Sequence, residues 1–69
     1  MAERQLKNRL KELRAQKGLT QSELAALVGV SRKTINTVEN LVFIPSTALA
    51  LALAETLGTR VEDIFYLEP

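Results

Sequence analysis

Between Thr20 and Asn40 the chain reads TQSELAALVGVSRKTINTVEN, a segment with room for little besides two short helices and a tight turn. Thr20-Gln21-Ser22-Glu23 is a capping box: the threonine oxygen takes the backbone N–H three residues on, and the glutamate reaches back to the threonine N–H. Leu24, Leu27 and Val28 supply a buried stripe at helical spacing. Gly29 stops this helix after about two turns, because glycine accepts backbone angles that other residues resist. Ser31 caps a second helix running to about Glu39, with Ile35 and Val38 facing inward and Arg32, Lys33, Asn36 and Thr37 on its other faces. Two helices meeting steeply need a small residue where they cross, and Ala25 fits. Leu24, Val28, Val30, Ile35 and Val38 then lock the pair onto a core. Asn36 and the β-branched residues are mediocre helix formers, so packing must hold the second helix.

The flanking segments read as further helices. Leu6, Leu10 and Leu13 recur at i, i+4 and i+7, the spacing of one helical face, and Gly18 is placed to end that helix. Residues 2–7 are either its first turns or a separate extended arm. Asn40 to Ser46, NLVFIPS, is a connector, since Pro45 disfavours helix at Ile44. Ser46 caps a fourth helix through Leu57, closed by Gly58. Its core, Ala48 to Ala54, alternates Ala and Leu with the period of a strand, but both residues are strong helix formers and the caps sit at helix spacing. Thr59-Arg60-Val61-Glu62 reads as a second capping box, opening a short helix through about Phe65. The tail Phe65-Tyr66-Leu67 suits an extended strand. The expected fold class is all-α, a single five-helix domain over residues 1–69 with short strands permitted at the ends.

Composition removes several function classes. The chain has neither Cys nor His, so it lacks thiolates, the commonest metal ligand and the usual general base near neutral pH. Its carboxylates are scattered over helix surfaces, so no catalytic constellation forms, and no cofactor, metal or small-molecule ligand is indicated. No apolar run approaches the ~18 residues that a membrane span needs. The first nine residues are charged and lack a signal-peptide core, so the expected setting is cytoplasmic. The formal net charge of +1 conceals an asymmetry. Residues 1–40 hold eight basic side chains against four acidic ones, a net of +4, whereas residues 41–69 hold Arg60 against Glu55, Glu62, Asp63 and Glu68, a net of −3. The amino half suits a polyanion and the carboxyl half would be repelled by one.

Three stretches, LKELRAQKGLTQSELAALVGVSRKTINTVEN, PSTALALALAETLG and VEDIF, together resemble the Xre/Cro group of phage-repressor-type helix-turn-helix proteins over almost the whole chain. The layout is similar to that of the group's small stand-alone dimeric repressors. The resemblance implies a repressor-like five-helix fold whose second and third helices form the helix-turn-helix. It also implies binding of double-stranded DNA by a homodimer at a near-palindromic operator, with helix 3 in the major groove and transcription under control. Carried over by position, Gln21 resembles a phosphate-contacting glutamine at the amino end of helix 2, where the helix dipole favours an anion. Ser31, Arg32 and Lys33 open the recognition helix, and Asn36 and Thr37 continue its exposed face one turn later. Arg32 or Lys33 has donors for guanine O6 and N7, and Asn36 has the donor and acceptor to bridge adenine N6 and N7, each good bidentate contact being worth about 1–3 kcal/mol of discrimination. Thr34 is expected on the DNA backbone and Asn40 on a phosphate. Arg14 and Glu39 match a pair that fixes the angle of the recognition helix without touching bases.

The chain departs from the group where Gly-Lys-Tyr commonly precedes Pro-Ser: here stand Leu41, Val42 and Phe43. Leu41 replaces the glycine that eases the helix end, so the turn must differ or carry strain. Val42 replaces a phosphate-contacting lysine, which lowers the expected salt dependence by about one contact. The apolar run Leu41 to Ile44 belongs either to the core or to a partner surface. If Leu49, Leu53 and Leu57 face the core, then Ala48, Leu51 and Ala52 are left over. With Phe43, Ile44, Tyr66 and Leu67 they form the expected homodimer interface. The competing expectation is a protein-interaction module, an antitoxin or adaptor built on the same fold.

Overall fold

The structure, a computed structural model, describes residues 4–69. Strand β1 (Leu6–Asn8) leads into helices α1 (Leu10–Gln16), α2 (Gln21–Val28), α3 (Arg32–Glu39), α4 (Thr47–Leu57) and α5 (Val61–Ile64), and strand β2 (Phe65–Leu67) closes the chain. The caps fall where side-chain chemistry places them. Thr20 Oγ1 accepts from the Glu23 N–H (3.0 Å) while the Glu23 carboxylate accepts from the Thr20 N–H (2.8 Å). Ser31 caps α3 through the Thr34 N–H (3.2 Å) and Ser46 caps α4 through the Leu49 N–H (3.1 Å).

Leu10, Leu24, Ile35, Leu53, Leu57 and Ile64 are completely buried, with Ala25, Val38, Ala54 and Phe65 completing the core. Each fully buried aliphatic side chain contributes about 1.5–3 kcal/mol from removal of its surface from water. Val28, Val30 and Leu49 pack against this centre while half-buried. The long α4 packs against α2 and α5 and so supports the bracket from the α2 side.

Four expectations change. First, Leu6 lies in β1, not on the face of α1, and the helix begins at Leu10; what the extended-arm alternative said of residues 2 and 3 lies outside the described residues. β1 pairs antiparallel with β2 in the register Leu6–Leu67, Lys7–Tyr66, Asn8–Phe65. The Asn8 carboxamide oxygen accepts from the Leu10 N–H (3.1 Å), so the helix cannot extend backwards through it. Second, Leu27 points outward with 62% of its surface exposed. The inward arc of α2 is Leu24, Ala25 and Val28, because Ala25 allows α3 to approach and takes the place a bulkier residue would need. Third, the box before α5 is shifted by one residue: the Asp63 carboxylate, not Glu62, accepts from the Arg60 N–H (3.1 Å). The Thr59 N–H is already committed to the Ala54 carbonyl (3.0 Å) at the end of α4, which makes Arg60 the first residue free to start the next helix. Fourth, Leu41, Val42, Phe43 and Ile44 are all exposed, so the run does not enter the core.

Leu41 resolves the question raised by the missing glycine. Helix α2 ends with Gly29 in the left-handed region (φ 76°), and α3 ends the same way with Leu41 (φ 63°). The Leu41 N–H donates to the Val38 carbonyl (3.1 Å) and the Val42 N–H to the Thr37 carbonyl (2.9 Å), the paired bonds of a Schellman turn. A side chain at such an angle costs about 1–2 kcal/mol. The chain therefore makes a left-handed turn without glycine and bears the strain.

Candidate nucleic-acid interface

Helix α3 is held from three directions. Its inner side is fixed by the burial of Ile35 and Val38. Its far end is fixed by a nearly dry ion pair: Arg14 Nε lies 2.7 Å from Glu39 Oε2 and Nη2 lies 3.2 Å from Oε1, with 13% and 3% of the two side chains exposed. The third donor of Arg14, Nη1, reaches the Leu19 carbonyl at 2.9 Å, ahead of the α2 cap. The hydrogen bond to Glu39 holds the Arg14 guanidinium above its ordinary pKa, outweighing the burial that opposes its charge. One arginine thus ties together α1, the entry to α2 and the last turn of α3.

Asn8 adds a restraint with only a weak sequence signal. Its carboxamide nitrogen donates to the Val38 carbonyl (3.0 Å) while its oxygen caps α1, joining the terminal sheet to the end of the recognition helix. An Asn two residues before an apolar helical pattern signals a cap; nothing in the sequence announces the second bond.

The expected reading residues cluster at the open side of α3. Ser31, Arg32, Lys33 and Asn36 are exposed, and Thr34 and Thr37 are half-buried beside them. Arg32 and Lys33 enter no ion pair among the described residues, so both charges face solvent. The Ser31 and Thr34 hydroxyls sit 3.0 Å apart. The Thr37 hydroxyl turns back to the Lys33 and Thr34 carbonyls, both at 3.0 Å. Gln21, Asn36 and Asn40 are brought into one network. Gln21 Nε2 donates to Glu39 Oε1 (3.0 Å) and to Asn36 Oδ1 (3.2 Å). Asn40 Nδ2 donates to the Asn36 carbonyl (2.8 Å) and to Asn36 Oδ1 (3.1 Å).

The other expected interface divides. Phe43 and Ile44 border a groove with Leu6, Pro45 and Phe65, and Leu51 borders an adjoining one lined by Leu6, Pro45, Ala50, Val61 and Phe65. Leu67 pairs with Leu6 and shares its side of the sheet. Ala48 is exposed and Ala52 half-buried on α4. Tyr66 points to the opposite side of the sheet by strand alternation, under the Arg9 guanidinium 4.3 Å from the ring centre. Among the described residues no helix is long and apolar enough to cross a membrane.

A capped helix, a left-handed glycine turn and a second helix with one buried and one open side define a helix-turn-helix DNA-binding domain. Residues 10–64 match the family model described as Helix-turn-helix, and the chain belongs to this family, in its Xre/Cro-like form. It is 41% identical to the uncharacterized HTH-type transcriptional regulator YgzD of Bacillus subtilis over 63 residues, covering 91% of this chain and 96% of that protein. It is 46% identical to an uncharacterized HTH-type transcriptional regulator of Methanocaldococcus jannaschii, again over 63 residues, with 91% and 96% covered. Among solved structures, the restriction-modification controller protein C.AhdI from Aeromonas hydrophila superimposes with a TM-score of 0.76 at 38% identity, over 80% of this chain and 83% of that one. The family is one of DNA-binding transcription regulators, not of enzymes.

Proposed function

We propose that this chain is a cytoplasmic, single-domain, sequence-specific repressor that binds a near-palindromic operator as a homodimer with α3 in the major groove. One observation carries the reading. Ser31, Arg32, Lys33 and Asn36 are exposed together on a helix whose other side is completely buried and whose end is clamped by Arg14 and Glu39. A rigid helix with free cationic donors at its amino end suits base edges, and the amino-terminal residues of a recognition helix are the ones that reach them. Gln21, Thr34, Thr37 and Asn40 flank that reading edge. Occupancy of a promoter suffices for repression, so nothing beyond tight docking is required of the domain.

Dimerisation is supported by the exposed apolar side chains Phe43, Ile44, Leu51 and Leu67, which lie on the net-negative carboxyl half. A single recognition helix reads only a few base pairs, and two copies about 34 Å apart read successive turns of one groove. Selection of bound duplexes from random DNA tests both points. A palindromic consensus is the expected result. A consensus without symmetry would remove the dimer, and no enrichment at all would leave the protein-interaction reading in its place.

A further inference from the structure

The polarity of a carboxamide is ordinarily ambiguous, because its oxygen and nitrogen have the same shape. Around Asn36 the neighbours remove the ambiguity twice over. Glu39 is an ionised carboxylate held by Arg14, so it only accepts, and the Gln21 atom 3.0 Å from it must be the nitrogen. That same nitrogen lies 3.2 Å from the Asn36 side chain, which must therefore present its oxygen. On the other side, Asn40 touches the Asn36 backbone carbonyl at 2.8 Å, an acceptor, so Asn40 also presents nitrogen. Its contact with the Asn36 side chain at 3.1 Å again requires oxygen there. Both inward contacts of Asn36 thus fall on Oδ1, and Nδ2, which bonds to no protein atom among the described residues, is left for solvent or DNA.

We propose that Asn36 meets DNA as a donor only, its amide polarity set by the Arg14–Glu39–Gln21 chain on one side and by Asn40 on the other. It then takes an acceptor atom: guanine N7 or O6, adenine N7, thymine O4 or a phosphate oxygen. It does not make the adenine pairing that the residue type alone suggests, because that pairing needs the oxygen to accept from N6. The inference rests on the reading of α3 as the groove-entering helix and specifies what one of its residues recognises. Gln21 and Asn40 become positioning residues, acting on base choice through Asn36.

The test uses the full chain and the duplexes enriched from random DNA. Comparing the wild-type protein with Asn36→Ala identifies the position that Asn36 governs. The expected result is a base read there through an acceptor alone, with the analogue lacking that acceptor (a 7-deazapurine for N7, 2-aminopurine for guanine O6, 4-thiothymine for thymine O4) weakening wild-type binding about fivefold or more and leaving Asn36→Ala unaffected. If the contact is a phosphate, base substitutions do nothing and a single methylphosphonate gives the matching loss. In the base-reading case, the double variant Gln21→Ala/Asn40→Ala, checked for folding by circular dichroism, should let the amide turn over. Its preference for adenine, whose N6 and N7 the turned amide can bridge, should then rise severalfold at that position, while preference at the Arg32 position holds. An Asn36-governed adenine at which removal of the N6 amino group weakens wild-type binding but not Asn36→Ala overturns the proposal and spares the docking reading, as does an Asn36→Ala protein that binds like wild type. Failure to enrich any duplex removes both.

Discussion

Replacing Arg14 with methionine keeps most of the side chain's length and removes its charge, leaving Glu39 3% exposed with no cation beside it. At 4 Å in an environment of effective dielectric ~20, such a pair attracts by about 4 kcal/mol before desolvation is subtracted. Breaking a buried pair from one side costs about 3–5 kcal/mol in general. Here the lower end applies, because the Gln21 amide still donates to Glu39 and water reaches the rim of the guanidinium. The lost bond from Nη1 to the Leu19 carbonyl adds about 1 kcal/mol. The expected loss is therefore about 4 kcal/mol, out of about 3–10 kcal/mol for a domain of this size. It lowers the melting temperature by roughly 16–32 °C. Glu39→Gln alone should also destabilise, and the double variant should recover part of the loss, with a coupling of at least ~1.5 kcal/mol in the cycle. Urea unfolding of the four proteins, followed by circular dichroism, measures it. A coupling under about 0.5 kcal/mol, the level of an exposed pair, would refute the claim that this contact clamps the recognition helix.

Asn8→Asp separates that residue's two bonds: it keeps the acceptor that caps α1 and removes the donor to Val38. It should cost about 1 kcal/mol and speed amide exchange in the last turn of α3, whereas unchanged exchange there would show that the sheet does not restrain the helix. Leu41→Ile, nearly volume-neutral at a half-exposed site, should destabilise by about 1 kcal/mol, since β-branching resists the left-handed conformation further. An unchanged urea midpoint would argue against that turn. The Thr20 backbone N–H and then the Thr20 hydroxyl lower the Glu23 pKa, so its cap stabilises the fold above the ordinary glutamate pKa of about 4.3 and fades as pH falls through the lower folded value. Glu23→Gln should flatten this part of the stability profile in acid titrations, and a profile identical to wild type would exclude the contribution.

The helix starts at Thr20, Ser31 and Ser46 and the stop at Gly29 were legible because a cap is a local event, decided by residues three or four apart. What escaped the sequence depended on distant partners. Leu6 has helical spacing to Leu10, and only the pairing with Leu67 shows it to be strand. Glu62 and Asp63 are chemically equivalent as caps, and the choice fell to Asp63 because the end of α4 had claimed Thr59. Arg14 and Glu39 were named together from the resemblance alone. The bonds among Gln21, Asn36 and Asn40 were not legible, since carboxamides declare nothing about their partners until an acceptor fixes them.

The pairing of β1 with β2 also carries a consequence for how the molecule comes into being. Every helical contact in the bracket joins segments made close together in time, but Leu6 must wait for Leu67 before the sheet can close. Closing so long a loop is entropically demanding, and it waits on the segment that carries Leu67. Until then Asn8 has no strand to hold it in place beneath the Val38 carbonyl. The helix-turn-helix contacts can therefore form before the sheet-side restraint on α3 exists, so of the ties on that helix the one from Asn8 depends on the most distant segment.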